Sequence, residues 1–158
     1  MKYINLKIPE HSYFFGFAQT DGTLGKLNNL NKGRFQIELG EQDVHILRSF
    51  KKLFPLIYAG IGTRIRDTNF KTHYRSYTFS ICDMEFRKEL NELGLPYGRK
   101  CESILSPKDS YRKRDYIRGL IDGDGSVGLT DKGFPFISFT VKSEGLKESL
   151  LNTIEKVI

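Results

Sequence analysis

Residues 13–25 read YFFGFAQTDGTLG, and residues 116–128 read YIRGLIDGDGSVG. A shift of 103 positions lays one on the other: Tyr13 on Tyr116, Gly16 on Gly119, Phe17 on Leu120, Ala18 on Ile121, Asp21 on Asp124, Gly22 on Gly125, Thr23 on Ser126, Leu24 on Val127 and Gly25 on Gly128. An internal repeat of this kind changes the reading of the whole chain, because each copy implies one structural unit.

Each stretch reads as a helix that ends in Asp-Gly. A helix C-terminus carries partial negative charge, which disfavours an aspartate there. A mid-helix glycine such as Gly16 or Gly119 costs roughly 1 kcal/mol relative to alanine. Two local costs at matching places point to a shared purpose. A small residue in a helix interior admits a second backbone at close range, and two such helices side by side would bring their terminal aspartates together. Clustered carboxylates with nearby backbone carbonyls make a hard-oxygen site suited to Mg²⁺. Asp-Gly is also a common turn pair, so either aspartate taken singly reads equally as a turn residue. The repeated set argues against that.

Downstream of the first copy, residues 23–29 and 33–40 can form a hairpin, and Phe35, Ile37 and Leu39 alternate with polar neighbours at the period of a half-buried strand. Val44, Leu47, Phe50, Leu53 and Phe54 recur at helical spacing over 42–54, with Pro55 as a stop. Alternation over 57–66 and 74–82 predicts a second strand pair. A helix over 83–94 is opened by Asp83 and closed by Gly94. Residues 97–110 are basic and polar and read as a linker. The second copy has a helix at 111–123, strands near 125–131 and 134–142, and a last helix at 143–158 carrying Leu146, Leu150, Ile154 and Val157. By comparison with 55–95 it lacks about 40 residues, a strand pair and a helix. The expected division is 1–96, a linker at 97–110, and a partial second repeat at 111–158.

Residues 14–22, FFGFAQTDG, and 117–125, IRGLIDGDG, resemble two copies of the LAGLIDADG motif of homing endonucleases. The motif's third-position glycine falls on Gly16 and Gly119, and its catalytic acid on Asp21 and Asp124. Gln19 departs from the pattern, standing where an acid is common, while Asp122 keeps the acid in the second copy. The resemblance implies an α+β fold: an αββαββα repeat with an antiparallel β-saddle, followed here by a partial αββα repeat. It also implies a site-specific double-strand DNA endonuclease, of the kind carried by mobile introns. Asp21 and Asp124, with the carbonyls of Thr20 and Gly123, would hold Mg²⁺ (or Mn²⁺) for metal-assisted phosphodiester hydrolysis. Lys100, in the basic segment GRKCE, takes the place of a transition-state lysine. The polar strand faces would meet duplex DNA through Lys26, Asn28, Arg34, Gln36, Glu38, Arg64, Arg66 and Arg75, since arginine can read guanine, glutamine can read adenine, and every cation can hold a phosphate. Read without the family, Arg64 and Arg66 also fit a solvated strand face, the lesser reading, and Lys100 reads as a surface lysine.

The bulk composition agrees. A formal net charge of +6 over 158 residues favours polyanionic partners. Two cysteines, Cys82 and Cys101, and three scattered histidines give no zinc pattern. No apolar run approaches the ~20 residues of a membrane span, and MKYINLKIPE lacks the layout of a secretory signal. The expected location is therefore intracellular, in a bacterial or phage-infected cytoplasm or inside an organelle. An intein insert is disfavoured, because the chain opens on Met1 and has no terminal His-Asn pair. The exposed apolar edge of a shortened second repeat should aggregate or find a partner, and a second polypeptide that completes it is one such partner, the chain otherwise being a fragment or a decayed reading frame. The alternatives to an endonuclease are a maturase-like or regulatory DNA- or RNA-binding protein of the same fold that has lost catalysis, and a fragment of a split enzyme.

Overall fold

In the computed structural model, which describes residues 2–25, 33–70 and 72–154, the first repeat folds as α1 (Pro9–Thr20), β1 (Gly22–Leu24), β2 (Phe35–Gly40), α2 (Val44–Leu53), β3 (Ala59–Arg66), β4 (Tyr74–Ile81) and α3 (Met84–Leu93). The second folds as α4 (Lys113–Asp124), β5 (Gly125–Leu129), β6 (Pro135–Phe139) and α5 (Glu144–Ile154). Pro9 sits in the first turn of α1, where its missing N–H costs nothing. Asp83 caps α3 by accepting the Phe86 amide at 2.8 Å, and Gly94 ends the helix at φ +120°. A turn of 3-10 helix over Glu41–Asp43 leads into α2, which therefore starts later than periodicity implies.

The first four strands form one antiparallel sheet in the order β1-β2-β4-β3. Its register puts Phe35 opposite Ile81, Ile37 opposite Phe79, and Ile61 opposite Phe79 on β4's other side. These residues share one face, and α1, α2 and α3 pack on it. The core there is aromatic: Phe14–Phe54, Phe54–Phe86 and Phe14–Phe50 meet edge-on with centroids 4.8, 4.9 and 5.1 Å apart, the geometry ring quadrupoles favour. The opposite face carries Gln36, Glu38, Arg64, Arg66, Ser76, Thr78 and Ser80.

Among the described residues the second repeat contributes the hairpin β5–β6 alone. Pairing partners allow a direct comparison: Leu24 opposite Phe35 in the first repeat corresponds to Val127 opposite Ile137 in the second. Leu24 and Phe35 are fully buried, whereas Val127 is 69% and Ile137 66% exposed. In the first repeat Phe79 of β4 and Phe86 of α3 lie against Phe35, and the second repeat has no counterpart of either among the described residues.

Residues 97–110 differ from a free linker. The amide of Gly98 donates to the Leu24 carbonyl at 2.8 Å, and the Ser143 hydroxyl donates to the Ile104 carbonyl. Ile104 is buried. A backbone hydrogen bond to the first repeat and a side-chain hydroxyl from the second fasten this segment at both ends, ties that composition does not reveal.

Candidate functional site

The widest contact between any two elements is that of α1 with α4. It is symmetric about the repeat. A Cβ on Gly16 would fall inside van der Waals contact of the Tyr116 carbonyl oxygen and 3.1 Å from the Leu120 nitrogen. A Cβ on Gly119 would do the same to the Tyr13 carbonyl oxygen and lie 2.8 Å from the Phe17 nitrogen. Residue i contacts j and j contacts i, as across a two-fold axis. The glycines of both copies are there because backbone meets backbone.

The same axis brings the helix ends together. Gly123 lies so close to Thr20 that a Cβ there would be 2.8 Å from the Thr20 Cβ and 3.3 Å from an Asp21 carboxylate oxygen. Asp21 is half-buried and Asp124 exposed. Burial pushes the Asp21 carboxyl up to about 6, the charge of Asp124 adds to the rise, and Lys100 opposes it. Burial in turn lowers Lys100 to about 8, while Asp21 and Asp124 pull it back up. The Lys100 ammonium donates to the carbonyl oxygens of Thr20 and Gly22 and lies 3.5 Å from that of Ala18. It thus occupies the negative end of α1. A cavity of about 230 Å³ opens alongside, lined in part by Thr20, Lys100, Asp124, Thr140 and Lys142.

The structure therefore assembles Asp21, Asp124, Lys100, Thr20 and Gly123 in one place. The Thr20 carbonyl, expected as a metal ligand, is here an acceptor for Lys100. The donor set is two carboxylates and backbone oxygens, with burial and, after it, like-charge repulsion raising one carboxyl. Such a set fits a hard divalent cation, which would relieve that repulsion. No cluster of three or more His, Cys, Asp or Glu side chains occurs among the described residues, so a cation would depend on the aspartate pair and on carbonyls.

Gln19 and Tyr116 had no role in the sequence reading. Gln19 is fully buried. Its amide donates to the carbonyls of Gly94 (3.1 Å) and Leu105 (2.9 Å), and its oxygen accepts the Tyr116 hydroxyl at 2.5 Å. The symmetric pair is Tyr13 with Asp122: the carboxylate is hydrogen-bonded to the Tyr13 hydroxyl and, with burial as the larger cause, raises its pKa. The signal for both pairs was the tyrosine repeated six positions before Gln19 and before Asp122.

On the sheet, Gln36, Glu38, Arg64 and Arg66 share the polar face. Exposed Arg34 precedes β2 and continues its polar alternation. Arg75 does not join them. It pairs in register with Ile65, on the face of Tyr77 and Phe79, and its guanidinium meets Glu41 at 3.0 Å. The parity of position 75 is that of the core residues of its strand. Lys26 and Asn28 lie outside the described residues.

Residues 112–157 match the family model of the LAGLIDADG-like domain. The chain superposes on a lysine-to-alanine mutant of I-SmaMI with a TM-score of 0.52 at 15% identity, covering 94% of this chain and 73% of that one. It also superposes on the LAGLIDADG homing endonuclease I-GzeII in complex with its DNA target, with a TM-score of 0.51 at 14% identity, covering 94% and 72%. The chain has the LAGLIDADG homing endonuclease fold. No curated protein matches it. The matched residues include α4 and Asp124, and α1 with Asp21 is their counterpart across the internal repeat. No helix among the described residues is long and apolar enough to cross a membrane.

Proposed function

We propose that the chain is a metal-dependent, site-specific double-strand DNA endonuclease. The observation that carries this reading is the meeting of Asp21, Asp124 and Lys100 at the adjoining ends of α1 and α4. Asp21 and Asp124 would hold Mg²⁺ or Mn²⁺, with the Gly123 carbonyl completing the set and the Thr20 carbonyl joining it only where Lys100 releases it. A divalent cation bound there supplies Lewis-acid polarisation of a scissile phosphate.

The chain's own residues do the rest. The close packing of α1 and α4 holds the two carboxylates near enough for the charge of Asp124 to act on Asp21. In the metal-free protein Asp21 is mostly ionised above about pH 6. Lys100, charged below about pH 8, is a donor beside the place where negative charge would grow on phosphoryl oxygens. The polar sheet face, with Gln36, Glu38, Arg64 and Arg66, would lie along a duplex groove, with Arg34 at its margin.

The test is cleavage of a randomised duplex library in Mg²⁺, with the cut ends sequenced. A defined site cut by the wild type and spared by Asp21→Asn and Asp124→Asn supports the reading. Cutting that survives both substitutions together sinks it.

A second reading rests on the exposed Val127 and Ile137. It is a DNA- or RNA-binding protein that does not cut alone, whose second repeat a further polypeptide completes by pairing with the free edge of β6. Salt-dependent binding without cleavage, converted to cleavage by such a polypeptide, distinguishes it from the first.

A further inference from the structure

Glu38 is the one carboxylate among the polar side chains that the sheet register places on the exposed face. One oxygen accepts the Ser76 hydroxyl at 2.7 Å and lies 3.1 Å from a nitrogen of Arg66. The other lies 3.6 Å from a nitrogen of Arg64. Glu38 belongs to β2 and the two arginines to β3, so the carboxylate reaches across the whole width of β4. Ser76, on β4, is 1% exposed. Its buried hydroxyl anchors the carboxylate from below. Arg66 is further steadied by the Tyr74 ring, 6.0 Å from its guanidinium carbon.

A base reader would be expected to present a free edge. Glu38 instead spends both oxygens inside the protein. A carboxylate fixed between two guanidiniums has two effects. It holds them in one arrangement, which lowers the entropy cost of a bidentate contact. It also cancels part of their attraction to any passing phosphate, because duplex affinity follows the number of phosphates neutralised.

We propose that Glu38 is a positioning residue that sets specificity: it orders Arg64 and Arg66 for base or phosphate contacts of defined geometry and suppresses their indiscriminate binding. This rests on the reading of the polar sheet face as a duplex-binding surface. It assigns Glu38 no base contact of its own.

The experiment is binding of the full chain to a duplex of random sequence over a range of salt, for wild type, Glu38→Gln, Arg64→Gln with Arg66→Gln, and the triple variant. Glutamine keeps an acceptor for Ser76, and circular dichroism checks each fold. The expected result is that Glu38→Gln tightens random-sequence binding several-fold and steepens the slope of log K against log salt by about 1. In the triple variant the same substitution has a clearly smaller effect, because its target is the arginine pair. Unchanged or weaker binding by Glu38→Gln overturns the proposal, as does an equal gain with the arginines absent. Should Glu38→Gln fail to fold, Glu38→Asp replaces it: a shorter carboxylate that frees the arginines must raise random-sequence affinity, and an unchanged affinity overturns the proposal. A wild type with no salt-dependent duplex binding removes the underlying reading as well, a result distinct from all of these.

Discussion

The ammonium of Lys100 rests on the carbonyl oxygen of Thr20, the residue that precedes Asp21. The two are 80 positions apart in the chain, and the fastened segment 97–110 brings them together. The last carbonyls of a helix lack intrahelical donors and carry its negative pole. Lys100 supplies donors and charge at once, which makes an aspartate at the end of α1 tolerable.

Replacing Lys100 by methionine leaves the volume and removes the charge. We expect a loss of about 1–2 kcal/mol in urea denaturation, and a further rise of the Asp21 pKa, since Lys100 is what holds it down. Carboxyl-carbon NMR titration reads the second effect. An Asp21 that titrates lower in the variant contradicts the arrangement.

Asp21 keeps its proton to about 6 in the fold, against an ordinary 3.8. A carboxyl raised in this way contributes stability that is complete below its unfolded value and lost as pH rises through its folded value. The window is therefore about pH 4 to 6. Asp21→Asn should gain on the wild type in metal-free buffer above that window and show no gain below it. In Mg²⁺ the order should reverse if the aspartate binds the ion. Thermal denaturation across pH, with and without Mg²⁺, tests both.

Gly16→Ala and Gly119→Ala would each raise helix propensity by roughly 1 kcal/mol. Both should nevertheless destabilise by about 2–4 kcal/mol, because the new methyl meets a backbone carbonyl that cannot move aside. Equal losses at the two sites in chemical denaturation would reflect the two-fold relation of α1 and α4.

Gln19→Glu restores the commoner acid to the first motif. We expect it to cost about 3 kcal/mol, since the carbonyls of Gly94 and Leu105 lose their donor and a buried carboxylate faces them instead. Asp122→Asn, at an exposed position, should change stability by no more than ~0.5 kcal/mol. Similar costs for the two substitutions would contradict the burial pattern.

Gly62 lies on the polar sheet face, and nothing comes within 4 Å of a Cβ built there. Gly62→Val should stabilise the strand by about 0.5–1 kcal/mol. If duplex DNA lies on that face, its affinity should fall. Filter binding beside a melting curve separates the two effects.

Much of this arrangement was legible in the sequence. The repeated glycine and aspartate located the interface and the acids, and alternation in Phe35–Leu39 and Ile57–Arg66 located the sheet's two faces. Arg75 was misplaced because its charge was weighed above its parity, although the parity was there to read. Residues 97–110 read as a linker because the partners that tie them, Leu24, Gln19 and Ser143, are far away in the chain. Gln19 read as a mere departure because its value lies in partners 75 and 86 positions away. Its need for both donors and an acceptor shows only once Gly94, Leu105 and Tyr116 surround it.

Gln19 and Asp122 hold corresponding places, yet one is sealed inside the protein and the other is open to water. Two identical subunits could not manage this, because one codon would have to serve both environments. Tandem copies in a single polypeptide lift that constraint. One position has become an anchor for the connecting strap, and the other holds the Tyr13 hydroxyl from the surface. The loss of symmetry between the two motifs is thus a division of labour that only a fused gene permits.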